Sequence, residues 1–154
     1  MTDERDLVRV ERVIPAPAEA IFALLADPSR HSDIDGSGMV REAKGEPQRL
    51  VMGSTFGMSM HHGLPYSMVS TVVEFEENQR IAWQTHGPTR IGAFVGGRIW
   101  RYELEPVDDG TLVAESWDIS EESWFTKPLI RKGADDARKS ITATLARIEE
   151  VLAG

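Results

Sequence analysis

Cysteine is absent from this 154-residue chain. That excludes disulfides, thiolate nucleophiles and cysteine-ligated metals. Positive charge is in short supply: 17 Lys and Arg stand against 25 Asp and Glu, a formal net charge of −8. Binding nucleic-acid phosphates needs clustered cations, so nucleic acid is not an expected partner, and docking on anionic membranes is disfavoured too. No apolar run approaches the roughly 20 residues that span a bilayer, so stable membrane insertion is not expected. Met1 to Arg12 is densely charged and lacks the apolar core of a signal peptide. There is no nucleophile elbow and no paired-carboxylate motif, and Gly92 to Gly97 lacks the lysine of a phosphate-binding loop. No cofactor is expected. A cytoplasmic protein forming one domain over residues 1–154 is the default reading, since this length carries one real core and not two.

Apolar residues make up 41% of the chain and charged residues 27%, ordinary proportions for a globular protein. Leu7 to Ile14 is valine-rich and suits a strand, ended by Pro15 and Pro17. Ala18 to Ala26 reads as a short helix with Ile21, Phe22, Leu24 and Leu25 as its apolar stripe, and Pro28 to Asp33 as a second helical turn. Strand patterns then take over. Met39 to Ala43 is a candidate, and Thr55 to Met60 places Phe56, Met58 and Met60 on one face. His61 to Pro65 reads as a turn. Tyr66 to Glu76 is a long strand whose Val73 and Phe75 are expected to face the same way as Ile81 and Trp83 across the Glu77–Gln79 turn. His86 to Gly97 is glycine-rich and reads as a loop or a weak strand end. Ile130, Ala134, Ala137, Ile141, Leu145, Ile148 and Leu152 recur at helical spacing near the C-terminus. A helix from Gly133 to Leu152 would run about 30 Å. Its alanines (134, 137, 143 and 146) would leave room against a sheet.

The stretch from Arg98 to Ile119 organises the rest. Arg98, Trp100, Tyr102 and Leu104 share one face of the first arm; Thr111, Val113, Glu115, Trp117 and Ile119 share one face of the return arm. Asp108-Asp109-Gly110 supplies a tight turn. If the apolar faces coincide, the inner side carries two tryptophans and a tyrosine together with Arg98 and Glu115. Either these charges face water at the sheet ends, or they form a structural ion pair, or the sheet encloses a cavity in which they act as acid, base or anchor. The order of elements is an α+β arrangement: a strand, two short helices, an antiparallel meander and a long helix.

At this point the chain resembles a known family. The residues that carry the likeness are Val13-Ile14-Pro15-Ala16-Pro17-Ala18-Glu19-Ala20-Ile21-Phe22 and on to Pro28, then Val72 to Trp83, then Tyr102-Glu103-Leu104-Glu105-Pro106 followed by Gly110-Thr111. They are similar to the START-related SRPBCC superfamily, and within it to the polyketide cyclase/dehydrase and lipid-transport group. The resemblance implies a helix-grip fold: a curved antiparallel sheet of six to seven strands wrapped around the long C-terminal helix, with two short helices after the first strand. It also implies a deep apolar pocket. It supplies no catalytic motif to carry over residue by residue, and fold does not give function.

Candidate site residues follow from the inner face. Glu115, Tyr102 and Arg98 are the candidates for chemistry. Phe56, Met58, Met60, Trp83, Trp100, Trp117, Trp124 and Ile141 are the candidates for ligand contact, each of which would otherwise be ordinary core. Trp124 and Phe125 form either a hydrophobic seam or a lid. His61, His62 and His86, with Asp33 or Asp35, would suit a metal by residue type, but a solvated turn accounts for them and no metal site is expected. Three functions compete: a binding or transfer protein for a lipid or polyketide-like hydrophobic molecule, a polyketide cyclase or dehydratase, and a co-chaperone-like interaction module. The last would present an outer apolar patch from Tyr66, Met68 and Val72. The chain would be a monomer or a homodimer.

Overall fold

A computed structural model describes residues 4–44, 47–86 and 96–153. The expected glycine-rich loop falls largely on 87–95, outside the described residues. Within them, seven strands form one antiparallel sheet: β1 (Leu7–Ile14), β2 (Val40–Lys44), β3 (Thr55–His62), β4 (Leu64–Glu76), β5 (Arg80–His86), β6 (Gly96–Val107) and β7 (Gly110–Asp118). Their order is β1-β7-β6-β5-β4-β3-β2, so the first strand closes beside the last and the remainder is a meander. Helices α1 (Ala18–Leu25) and α2 (His31–Ile34) fill the crossover after β1. A short α3 (Lys127–Ile130) precedes the long α4 (Ala134–Ala153), which packs on β1 and β7. This is the helix-grip arrangement.

Two local details depart from the alternation in the sequence. Val72 faces Trp83 and Phe75 faces Ile81, with a register shift between Val72 and Glu74. The extra residue is a β-bulge, which turns Val73 off the inner face and puts Val72 there, 1% exposed. The His61–Pro65 turn is tighter than expected. β3 runs through His62 and β4 restarts at Leu64, leaving only Gly63, at φ +76°, to reverse the chain. The Asp-Gly hairpin of β6 and β7 forms as read, with Tyr102 opposite Glu115 and Trp100 opposite Trp117.

The space between sheet and α4 is filled at one end and hollow at the other. Ile141, Leu145 and Ile148 of α4 are fully buried beside Ile14, Ile21, Phe22, Ile81 and Val113. Each such side chain is worth about 1.5–3 kcal/mol on burial. Phe22 and Phe75 meet edge to face at 5.5 Å. One turn towards the N-terminus of α4, the same face carries Ala137 and Ser140, and the packing stops. Ala143 and Ala146 take no part in this gap.

Gly36 fastens the α2–β2 connection to α4. Its N–H donates to Thr144 Oγ1 at 2.8 Å, and an added Cβ would lie 2.4 Å from the Thr144 backbone nitrogen and 2.6 Å from Ala143 Cβ. Only glycine permits that approach. Gly36→Ala is therefore expected to lower stability by about 2 kcal/mol or more in urea denaturation. Gly133→Ala, whose Cβ would meet nothing within 4 Å, should stay within about 0.5 kcal/mol.

Candidate ligand-binding site

The hollow end is a cavity of about 410 Å³, bounded by the inner face of the sheet, by α2 and its following loop, and by the α3–α4 junction. Strand alternation supplies most of the wall. Phe56, Met58 and Met60 come from β3, Met68 and Ser70 from β4, Trp83 and Thr85 from β5, Arg98, Trp100 and Tyr102 from β6, and Glu115 and Trp117 from β7. The helical side adds His31, Ile34, Asp35, Leu129, Ile130, Ala137, Ser140 and Thr144. Its volume lies within the range of small-molecule sites, and its apolar lining with a few convergent polar groups has their composition.

Glu115 is the unusual group. It is 3% exposed, in the middle of β7, and its Oε1 has no hydrogen-bond partner. Tyr102, cross-strand from it, presents the side-chain hydroxyl that interacts with this carboxyl. Burial pushes the Glu115 carboxyl well above its usual range, and the negative charge of Asp35 pushes it further, against the opposing pull of Tyr102. Burial likewise raises the Tyr102 phenol, with Glu115 and Asp35 adding to it. Both shifts favour the neutral forms. Asp35 is tied down differently: its carboxylate accepts from Ser37 N, Ser37 Oγ and Val40 N at 2.8–3.1 Å.

His31 completes this end. Its ring stacks on Trp83 with centroids 4.9 Å apart and meets Phe56 edge to face, while Trp83 leans on Tyr102 at 5.6 Å. The carbonyl of Leu25 lies 2.8 Å from Nε2. A carbonyl only accepts, so Nε2 carries the proton and Nδ1 keeps its lone pair. Burial holds the imidazole pKa below its ordinary value, so the ring is neutral. Chemically, the cavity combines a buried carboxyl with a raised pKa, a phenol, a neutral imidazole and a fixed carboxylate inside aromatic walls.

The chain matches, over residues 5–153, the family described as polyketide cyclase/dehydrase and lipid transport. It belongs to that family. A curated relative, an uncharacterized protein from Mycobacterium tuberculosis named Rv0088, is 37% identical over 107 residues. That alignment covers 68% of this chain and 44% of the relative, so the chain spans under half the length of the protein it resembles. Solved structures share the fold at low identity. Protein NE0264 from Nitrosomonas europaea superposes with a TM-score of 0.72 at 15% identity, covering 97% of this chain and 96% of that one. The Aha1 dimer from Colwellia psychrerythraea gives 0.67 at 17% identity, covering 95% of each. No helix among the described residues is long and apolar enough to cross a membrane.

Against this polyketide cyclase/dehydrase and lipid-transport fold, the expected site residues fall into place unevenly. Phe56, Met58, Met60, Trp83, Trp100, Tyr102, Trp117, Arg98 and Glu115 all line the cavity. Ile141 does not; it belongs to the packed half of α4, one turn beyond Ala137. Trp124 is 83% exposed and Phe125 78%, stacked edge to face on each other at 5.9 Å, so neither a buried seam nor a cavity lid describes them. The β7–α3 segment carries them outward because Glu122, not Trp124, is its buried anchor. Arg98 and Glu115 are not partners: Arg98 Nε pairs with Glu122 Oε1 at 3.3 Å. Met68 lines the cavity and Val72 is core, so the outer apolar patch expected from them does not form. His31, Ser140 and Thr144 are not among the expected site residues, and Asp35 is expected only as a possible metal ligand, yet all four line the cavity. A lone histidine after a proline-broken helix carries no periodic signal, and only the α2–α4 docking brings these residues together.

Glu115 makes stability pH-dependent in a defined sense. Its folded pKa lies above the ordinary 4.5, so as pH rises past about 4.5 the unfolded chain releases a proton that the folded one retains. Folding stability then falls with rising pH through this group. Glu115→Gln removes that dependence. The variant is expected to melt higher than wild type at pH 7–8, with the gap closing below about pH 4, as read from melting temperatures across that range.

Proposed function

We propose that this protein binds a hydrophobic small molecule, lipid-like or polyketide-like, in the cavity between its sheet and C-terminal helix, and holds or transfers it without chemistry of its own. The observation that carries the reading is the abrupt end of core packing at Ala137 and Ser140, which leaves about 410 Å³ behind apolar walls. A well-packed interior keeps few voids larger than a water molecule, so a gap of this size, lined by Trp, Met and Phe side chains, suits an apolar guest. Membership of a lipid-transport and cyclase family supports the same reading.

A second reading has one specific observation in its favour. Glu115, Tyr102 and His31 place proton donors and an imidazole lone pair around a single cavity, an arrangement suited to enolisation or dehydration of a bound polyketide-like chain. Orientation in the cavity would carry much of such catalysis. The interaction-module reading has less support, because its outer patch is missing.

Two measurements test the binding reading. Native mass spectrometry of the purified protein is expected to show a co-purifying small molecule, or to show uptake of an added apolar probe that also quenches tryptophan fluorescence. Ser140→Phe, which places a ring in the cavity, should abolish uptake while leaving the melting temperature equal to or above wild type. Wild-type protein that neither carries nor takes up any apolar ligand would sink the reading.

A further inference from the structure

We infer that the guest of this cavity carries a hydroxyl group, and that His31 Nδ1 is the acceptor that recognises it. The inference rests on the binding reading above and adds a chemical feature of the ligand.

The His31 ring is held from several sides. It is 7% exposed, stacks on Trp83 at 4.9 Å and meets Phe56 edge to face at 5.5 Å. The Leu25 carbonyl lies 2.8 Å from Nε2, nearer than a ring C–H would tolerate, so ring orientation and tautomer are both set. Burial keeps the ring neutral. Nδ1 thus presents a fixed lone pair on the side of the ring away from Leu25.

That lone pair has no partner among the described residues, yet it is not shut in. Among those residues, the buried side-chain atoms that are both closed to solvent and unpartnered are Glu115 Oε1 and Glu122 Oε2. Nδ1 is not one of them. An unpartnered Nδ1 therefore has open surface, and the space that His31 lines is the cavity.

An acceptor in an apolar wall costs free energy until a donor reaches it. A hydroxyl is a donor that fits: it is small, uncharged and compatible with the Phe56, Trp83 and Tyr102 rings nearby. A water molecule can serve the same atom, so a guest without a donor either strands Nδ1 or must leave room for that water. Several other acceptors of the lining are engaged. The Ser70 and Thr85 hydroxyls bond each other at 2.8 Å, Thr144 Oγ1 accepts from Gly36, and Asp35 accepts from Ser37 and Val40. Arg98 only donates, and it remains able to hold a carbonyl or carboxylate elsewhere on the same guest.

The test follows matched ligands by tryptophan fluorescence at pH 7. One set is p-phenylphenol, its methyl ether and biphenyl; the other is decanol, its methyl ether and decane. His31→Phe keeps an aromatic ring beside Trp83 and removes the acceptor. In at least one set it is expected to weaken the hydroxyl ligand roughly five-fold more than the ether or the hydrocarbon, the scale of one hydrogen bond to a buried partner. Lost packing alone would weaken all three alike. A second measurement uses the wild-type protein, and so decides the matter even if the variant fails to fold. In nitrogen NMR of isotope-labelled histidine, the His31 Nδ1 signal should move upfield with the hydroxyl ligand and hold its position with the ether. An equal loss across both sets, or an Nδ1 signal that does not distinguish hydroxyl from ether, would overturn the inference and leave the cavity reading standing. If no member of either set binds wild type, both readings fall together.

Discussion

The grip of the sheet on α4 is the constraint from which the rest of this structure follows. A single helix face runs along the concave side of seven strands, and its residues change size midway. Ile141, Leu145 and Ile148 fill their half against Ile14, Phe22 and Val113, and that half holds the fold. Ala137 and Ser140 cannot reach the sheet from the same backbone distance. Because the helix is rigid and anchored by its filled half, the other half cannot collapse to close the gap. The cavity is thus a consequence of a firm core, not of loose packing.

The outer face of the sheet shows how the curvature is held. Arg101 bridges Glu74 and Asp118, with Nη2 to Glu74 Oε2 at 2.6 Å and Nη1 to Asp118 Oδ2 at 3.3 Å, and Arg80 spans Glu74 and Glu103. These ladders lie across β4, β5, β6 and β7. They are partly buried, and the guanidinium neighbours hold the Glu74 carboxyl below its ordinary range. Exposed pairs are worth little singly, but a network of arginines shared between carboxylates gives geometric specificity as well. Charge is satisfied on the outside of the sheet, whereas two buried carboxylate oxygens among the described residues, Glu115 Oε1 and Glu122 Oε2, have no hydrogen-bond partner. Glu122 has Arg98 as an ion-pair partner, and Glu115 has no ion-pair partner among the described residues.

Much of this was legible in the residues. Alternation along Trp100, Tyr102, Glu115 and Trp117 survives into the structure because a regular antiparallel hairpin with a two-residue Asp-Asp turn offers no way to slip register. The amphipathic C-terminal helix is equally direct. What escaped is what depends on irregularity or on distance in the chain. The bulge at Val73 exchanges which residue faces inward, and nothing in a run of β-branched residues marks where an extra residue will sit. Ile141 and Ala137 share one stripe, and periodicity alone cannot say which is opposite sheet and which is opposite space. Trp124 was drawn inward by its apolarity, although the buried residue of that segment is the charged Glu122, held by Arg98. His31 and Asp35 reach the cavity only because Gly36 lets their loop touch α4.

That last contact ties fold to chemistry. Gly36 has no side chain to keep α4 at a distance, so Thr144 can accept its N–H and the loop settles with Asp35 turned towards the strands. Asp35 then acts on Glu115 and Tyr102 through its charge and adds to the upward shift of both. Remove the close approach and the carboxylate retreats; the acid on β7 would lose part of what sets its proton affinity. The electrostatic character of the pocket therefore depends on a steric allowance at one glycine, Gly36, which meets α4 at Thr144, 108 residues further along the chain. A cavity built this way is tuned from the helical side while Glu115 and Tyr102 stay fixed on the sheet, so changes in the α2–β2 loop would alter its charge without rebuilding the wall.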